Sequence, residues 1–576
     1  MTTKSEAIRM LVELAKLTSI DEGSPQAFKV RAYENAIAGI ESYQGEIDGL
    51  TKSQLVQIKG VGGSTADKIL ELGSSGGVAK LEGLREKYPP AFVELTKIPG
   101  LGPKTLKMLR SKLGVEDIES LKAAVDGERL RDLPGLGEKS EEKISKAIDR
   151  LGLHGKDRRT PLVEVLGFAH SLAERIAAIP AVTEAVPCGS LRRFSETIGD
   201  VDIVVATTDP SRVHETVLAF PEVADVVGSG ETKTSFLTRE GLQVDVRTVA
   251  PDQLGSAVLY FTGSKTHNIQ LRQKAIDLGW LLSEYGLFED GEVVASKTEA
   301  DVYATLGLAF IPPTLREGGG EVEAAASGEL PDLITRDRIQ GDLHYHSDRS
   351  GDGRSSVDEM IDAAVAAGYR YIAFTDHGED LAINGSSREQ MLEHRELIRA
   401  RSAERPEIEV LFGCELNIGP EGQLDYDAAF RLEFDYCVAS IHSHFDLGED
   451  RQTARILTAL ADPAVNAIGH LSGRYVGRRP GVELDVGAVL EGLAVTGVAL
   501  EVNGALDRLD ATTDVVRQAV SEGVDIVIDT DSHHVSDLRR MDYGVLYAQR
   551  AWVTVDRVVN ARDPADFLLW SRRRRT

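Results

Sequence analysis

Beyond residue 340 the sequence repeats one pattern: a short apolar run ends on a histidine, aspartate or glutamate, and a helical stretch follows. The segment "QGDLHYHSDRSGDGRSS", Gln340 to Ser356, opens the series with His344 and His346 at i and i+2, which on a strand puts both rings on one face. The pattern continues in "YIAFTDHG" with His377, "VLFGCEL" with Glu415, "YCVASIHSH" with His442, "NAIGH" with His470 and "VDIVIDTDSHH" with Asp531 and His533. Helical stretches such as "SVDEMIDAAVAAGYR" fall between them. This is the rhythm of a β/α barrel, whose functional groups collect at the C-terminal ends of the strands. One His-x-His alone is weak evidence, because satisfied structural histidines are common; the series is what points to metal. Imidazole and carboxylate donors suit Zn²⁺, Mn²⁺ or Fe. His444 and His534 read as outer or solvent-facing groups, and His394, on a charged helical stretch, as a surface residue.

A chain of 576 residues exceeds what one core serves, so several domains are expected. The three cysteines, Cys188, Cys414 and Cys437, share no CxxC, which argues against both a disulfide framework and a thiolate zinc site. No run of about 18 apolar residues and no leader-like N-terminus is present, so a soluble, cytoplasmic protein is expected. The net charge of −27 opposes a wholesale electrostatic grip on nucleic acid. Its distribution is uneven, however: acids and bases nearly balance up to about residue 155, Lys297 is the last lysine, and nine of the 13 histidines follow residue 340. The Gly-, Ala- and Glu-rich junction "LREGGGEVEAAASGELPDL" reads as a linker, residues 316–338.

In the first 150 residues three segments match each other: "LVQIKGVGGSTADKIL", "LTKIPGLGPKTLKMLR" and "LRDLPGLGEKSEEKIS", starting at Leu55, Leu95 and Leu130. Each is an apolar helix end, a Gly-x-Gly (Gly60 and Gly62, Gly100 and Gly102, Gly135 and Gly137), and a new helix. Glycines allow the tight turn, and the next helix offers unpaired N–H groups at its positive end. Such a corner takes a phosphate without reading a base. One copy could be a turn and nothing more; three favour a shared task.

"PCGSLRRFSETIGDVDIVVAT", Pro187 to Thr207, sets Asp200 and Asp202 on one face of an apolar strand, and "GLQVDVRTV" repeats the alternation with Asp245. Converging carboxylates repel unless a cation lies between them, and three could hold two Mg²⁺ ions open to substrate phosphates. A Gly-Ser turn beside arginines suits a triphosphate.

These residues together resemble the X-family DNA polymerases of bacteria, which are DNA polymerase beta-like and carry a C-terminal PHP (polymerase and histidinol phosphatase) domain. The resemblance implies a multidomain α/β fold: an N-terminal helix-hairpin-helix domain at 1–85, a fingers-like domain with two further hairpins at 86–155, an α+β nucleotidyltransferase palm at 156–250, a thumb at 251–315, and a distorted (β/α)7 PHP barrel at 339–576. It implies that Asp200, Asp202 and Asp245 are catalytic and hold Mg²⁺ or Mn²⁺, Asp245 being closest to the nucleophile. Gly189, Ser190 and Arg193, with Arg159 of "RRTP", would bind the triphosphate. In "YFTGSKTHNIQLR", Tyr260, Phe261 and Gly263 would line the sugar, Asn268 would meet the base, and Arg272 would touch the template; Glu284 and Tyr285 also match. Lys68 occupies the position of the family's Schiff-base lysine. In the barrel, His344, His346, Glu415 and Asp531 would hold one metal, Glu415 would bridge to a second on His442 and His470, and Asp352, His377 and His533 would hold a third, the ions being Mn²⁺, Zn²⁺ or Fe. Asp352 stands one residue later than in the family's "S-D-G" pattern, as though Gly351 were inserted, and Asp348 is the alternative.

The implied activity is short-gap filling on gapped or nicked DNA with dNTPs, in base excision or end repair; the oligomeric state is left open by the sequence, with a monomer as the default. The barrel would add a Mn²⁺-dependent 3′-to-5′ exonuclease, 3′-phosphatase or abasic-site endonuclease. Two other readings stand beside it on the sequence alone: a DNA-binding scaffold with a structural barrel, and a barrel acting as a small-metabolite phosphatase. The terminal "SRRRRT" reads as a DNA contact or a frayed end.

Overall fold

The computed structural model describes the chain apart from residues 1–2, 25–26, 44–46, 76, 99–100, 151–158, 382 and 576. It divides into two compact units, Met1–Arg159 and Thr160–Thr576.

The first unit is helical. Three corners feed the helices Gly63–Ser75, Pro103–Leu113 and Glu138–Arg150. In the first and third, the leading glycine carries positive φ, +88° at Gly60 and +83° at Gly135. A Cβ on Gly60 would fall 2.2 Å from the Asn35 carbonyl oxygen, so the chain crosses too closely for any side chain. The second glycines, Gly62, Gly102 and Gly137, have nothing within 4 Å of a built Cβ. Open space thus lies just ahead of each helix N-terminus; Gly100 falls outside the described residues.

The second unit joins three layers of structure. A five-stranded sheet runs Val182–Pro187, Asp200–Thr207, Gln243–Val249, Lys233–Leu237, Asp225–Ser229 across its width. Asp200–Thr207 and Gln243–Val249 are parallel neighbours, and their register sets Asp202 opposite Asp245. Helices Leu254–Thr262 and Lys265–Asp277 and a three-stranded antiparallel sheet follow. The remainder is a seven-stranded parallel barrel in sequence order, Gly341–Tyr345, Tyr371–Phe374, Glu409–Asn417, Tyr436–Ser440, Ala467–Ile468, Ala499–Asn503 and Ile526–Asp529. The last strand's end meets the first through a Tyr345–Ser532 bridge.

Every strand residue of the barrel except Glu409 is buried, as expected when helices cover a parallel sheet. One face, including Leu343, Tyr371, Leu411, Val438 and Val527, forms its own core with Phe567 and Trp570 from the C-terminal helix Pro564–Arg572. Phe567 stacks on Tyr371 at 4.3 Å and 1°. That helix therefore plugs one end of the barrel.

Three expectations are corrected. Residues 316–338 are no loose linker: Arg316 is fully buried, donating to Glu299 (2.5 Å) and to the Ile311 carbonyl (2.9 Å). Glu321 is also buried, accepting from the Gly318 and Gly319 amides and facing His267 Nδ1 at 2.7 Å. The glycines form the turn that starts helix Glu321–Ser327. His394 is not on the surface but buried, with Nε2 2.8 Å from Asp376 Oδ2. Three of the terminal arginines are tied to backbone carbonyls rather than frayed. Arg573 donates to the Gly497 carbonyl, Arg574 to Leu460 and Val465, and Arg575 to Phe434, so Arg573 and Arg574 each close a helix C-terminus, where a cation is favoured.

Phe567→Ala removes the plug's largest contact. It should cost about 3–5 kcal/mol in the barrel's unfolding transition, read from a denaturant titration; a loss within about 0.5 kcal/mol would show that the helix does not close the core.

Candidate active sites

In the sheet, Asp202 and Asp245 face each other across the strand pair while Asp200 is exposed at the strand's start. Val201 and Val244 turn the other way into the core. Burial, then the charges of Asp200 and Asp245, pushes Asp202 up to about 7. Burial also acts to raise Asp245, but Lys233, Ser235 and Gln243 outweigh it and hold it below the usual carboxylate range. Lys233 Nζ lies 2.5 Å from Asp245 Oδ2, already supplying a cation there; it sits on the adjacent strand, and no local motif marked it.

Gly189 has φ +64°, and a Cβ on it would lie 2.8 Å from Asp202 Oδ2, so only glycine brings this turn against the carboxylates. Ser190 follows in the same short helix, Gly189–Arg192. Arg193 donates to the Thr262 carbonyl (2.5 Å) and meets Glu317 (3.0 Å). Gly263, φ +69°, leaves 3.2 Å between a built Cβ and Arg193 Nη1. Asn268 Nδ2 donates to the Tyr260 carbonyl (2.7 Å), Arg272 lies over the Tyr260 ring (5.1 Å), and Phe261 packs edge-on to Tyr260. Tyr260, Asn268 and Arg272 also line one small cavity. Arg159 is exposed at the end of the first unit. In that unit Lys68 Nζ donates to Ser64 Oγ (2.8 Å) and sits 5.8 Å from the Tyr33 ring; burial lowers its pKa, the direction an amine nucleophile needs.

At the barrel's C-terminal end the ligand types converge on Glu415, which is buried. Its oxygens lie 2.9 Å from His377 and His470, 3.0 Å from His442, 3.3 Å from His344 and 3.4 Å from His346. His346 and His344 approach Asp531 at 3.4 and 3.7 Å. Asp352 is within 3.2 Å of His377 and 3.5 Å of His533. Four sets have atoms close enough to share an ion: His346, Asp352, His377 and His533; His344, Glu415 and His470; His344, His346 and Asp531; His377, Glu415 and His442. His346 thus joins the Asp352 set as well as Asp531. The glycine inserted before Asp352 is absorbed in a tight loop: a Cβ on Gly353 would collide with the Ser347 carbonyl oxygen at 1.7 Å, and one on Gly351 would meet Asn384 at 2.8 Å. Asn384 donates to Asp352 (2.7 Å), whereas Asp348 is exposed and outside these sets.

The donor set fits divalent metal. His344 Nε2, His346 Nε2, Asp352 Oδ1 and Glu415 Oε2 are buried and make no well-formed hydrogen bond, and Glu415 Oε2 meets its imidazoles only as ion contacts, so a cation among them would satisfy them. Burial opposes charge on all these groups, yet His442, His344 and His377 hold Glu415 far below its usual range, and Glu415 with Asp352 lifts His377 to about 10. Burial, then His533 and His377, drops His346 to about 4, leaving it neutral and able to ligate.

Sequence reasoning missed the groups that aim these ligands. Glu501 accepts from His344 Nδ1 (2.6 Å) and from the His470 amide, fixing the tautomer that turns His344 Nε2 inward. Asn503 donates to Asp531 (3.2 Å), and Arg508 lies 3.5 Å from it. "VALEVNG" is one more apolar run carrying ligand-type residues, so the same rhythm could have found Glu501 and Asn503. As expected, His444 is exposed; His534 is half-buried on Ser536.

One unit thus holds a two-strand carboxylate site and a histidine-lined barrel mouth with four candidate metal-binding groups, an arrangement suited to phosphate chemistry. Family profiles agree: DNA polymerase beta thumb at residues 257–317, PHP domain at 342–504, helix-hairpin-helix domain at 2–76 and SAM-like helix-hairpin-helix tandem at 92–150. The chain is 37% identical over 568 residues to DNA polymerase/3′-5′ exonuclease PolX of Bacillus subtilis (strain 168), covering 98% of both. It is 26% identical to DNA polymerase lambda of Rattus norvegicus over 50% of this chain and 52% of that one. A probable phosphatase of Thermoanaerobacter sp. (strain X514) is 27% identical over 38% of this chain and 89% of its own. The chain belongs to the bacterial X-family DNA polymerases that carry a PHP domain. Among the described residues no helix is long and apolar enough to cross a membrane.

Asp202 gives a pH test. Its folded pKa of about 7 lies above the ordinary 3.8, so its contribution to stability is fully present below about pH 4 and lost as pH rises through 7. In EDTA, Asp202→Asn should match wild type at pH 4 and exceed it at pH 8 by a few kcal/mol, each tenfold change in proton affinity being worth about 1.4 kcal/mol. Added Mg²⁺ should close that gap; a difference independent of pH would contradict the assignment.

Proposed function

We propose that this protein is a DNA-directed DNA polymerase that fills short gaps during repair, with its PHP barrel acting as a metal-dependent 3′-to-5′ exonuclease. The observation that carries the polymerase half is the Asp202–Asp245 register beside a glycine turn that no side chain would allow. That carrying the exonuclease is the set of imidazoles around Glu415. Helix-hairpin corners with open N-termini would hold gapped or nicked DNA by its backbone, Lys68 included.

Asp200, Asp202 and Asp245 would hold Mg²⁺ or Mn²⁺; the barrel set, His344, His346, Asp352, His377, Glu415, His442, His470, Asp531 and His533, would hold up to three of Mn²⁺, Zn²⁺ or Fe. Bound there, the ions supply positive charge that acidifies the attacking oxygen and offsets charge developing on the phosphate. Asp245 aligns the primer 3′-hydroxyl, and Lys233 keeps its carboxylate ionised. The Gly189 turn, Ser190 and Arg193 seat the dNTP triphosphate. Tyr260, Phe261 and Gly263 shape the sugar site, Asn268 meets the base, and Arg272 touches the template. In the barrel, Glu501 holds His344 in its ligating tautomer and Arg508 places positive charge beside Asp531. We read the working form as a cytoplasmic monomer.

Separate variants test the halves. On a one-nucleotide gap, Asp245→Ala should lose extension by about 10³-fold or more and keep Mn²⁺-dependent shortening of a 3′-end. His377→Ala should do the reverse, and Glu501→Gln should weaken barrel metal binding about 10- to 100-fold by titration. Wild type that extends no primer, or a His377→Ala protein that still degrades, would refute the corresponding half.

A further inference from the structure

The palm segment between the Gly189 turn and Asp200 is gripped by the barrel. Helix Arg540–Arg550 presents Tyr543, Tyr547 and Arg550 at i, i+4 and i+7, which is one face. Tyr543 stacks on Phe194 with centroids 6.0 Å apart and planes at 27°. The Tyr547 hydroxyl meets Glu196 Oε2 at 3.2 Å. Arg550 donates to the backbone carbonyl of Arg193 and to Glu317 Oε1 (2.8 Å), and that same oxygen takes Arg193 Nε at 3.0 Å. Arg474, four residues past His470, adds contacts to Glu196 (2.6 Å) and to the Tyr547 hydroxyl (3.0 Å).

The gripped segment is strained. Phe194 is buried at φ +59°, a conformation that is unfavourable for a bulky residue and persists only where its surroundings over-determine it. Here the surroundings are Tyr543 on its ring and Arg550 on the carbonyl just before it. Release of either would let Arg193 turn away from the Gly189 turn, four residues upstream, and shift the strand that begins at Asp200.

We infer that this face of the barrel helix is a positioning element of the polymerase site: Tyr543, Tyr547 and Arg550 fix the loop that aims Arg193 at the incoming triphosphate. The inference rests on the reading of Arg193 as a triphosphate contact. None of the three touches substrate; they act through Phe194, Glu196 and Arg193. A contact that merely glued two domains together would affect melting alone, whereas a positioning face affects nucleotide affinity.

The test uses the full-length protein and a one-nucleotide gap, with dNTP titrated. Arg550→Met should raise the KM for dNTP about tenfold with kcat nearly unchanged, the scale of one lost charged hydrogen bond. Arg550→Lys, which keeps the cation near Glu317, should recover most of that loss. Tyr547→Phe, which deletes one hydroxyl and leaves the packing, should raise KM about threefold, at the low end for a single hydrogen bond. It keeps the test decisive should Arg550→Met unfold. Arg193→Ala is the reference. If it leaves KM unchanged, the triphosphate reading itself fails. If Arg193→Ala raises KM while Arg550→Met and Tyr547→Phe change only the melting temperature, the positioning role is wrong and the triphosphate reading stands.

Discussion

A single buried carboxylate organises the second half of this protein. Glu415 lies near the C-terminal end of the third strand of the barrel, is screened from water, and has five imidazoles within 3.4 Å. Neither the carboxylate nor the rings around it have enough hydrogen-bond partners of their own. Such a group is tolerated in a low-dielectric interior only when opposite charge is supplied to it. The barrel delivers the rings because each strand ends at the same rim, and a parallel sheet needs its helices outside, leaving that rim to side chains. Metal, closure and fold are therefore one problem with one solution.

The palm solves a smaller version of the same problem. Parallel strands in register bring Asp202 opposite Asp245, and burial, followed by the charges of Asp200 and Asp245, holds an Asp202 proton up to about pH 7. Lys233 offsets part of that repulsion on one side, and the turn at Gly189 closes the other. The two sites are not merely tethered. Residues 316–338 pack as structure, and one barrel helix carries three side chains against the palm loop. The nuclease half is then a structural component of the polymerase half.

What was legible in the sequence was whatever repeats or sits close in the chain. His344 with His346, Asp200 with Asp202, and the Gly-x-Gly corners each declare themselves through local spacing, and the barrel follows from strand-ligand-helix rhythm. What stayed hidden depends on partners far away in sequence. His394 lies on a charged helix and is buried where Asp376, in the loop after the second barrel strand, receives it. Glu501 has no role until folding sets it under His344, 157 residues away. The glycines of the junction and the arginines of the tail carry the composition of disorder, yet a buried Glu321 and exposed helix carbonyls give them fixed work. The difficulty at Asp352 was geometric, and a loop that only glycine can make at 353 resolves the spacing by bringing it beside His377 and His533.

The most direct measurement of the central claim is anomalous diffraction from crystals of the full-length protein grown with Mn²⁺. A barrel organised by Glu415 should show a cluster of up to three peaks at its C-terminal mouth, at least one of them within about 2.3 Å of a Glu415 oxygen and of ring nitrogens from different strands. An empty mouth, with Glu415 and its imidazoles closed on one another as hydrogen-bonded pairs, would contradict it.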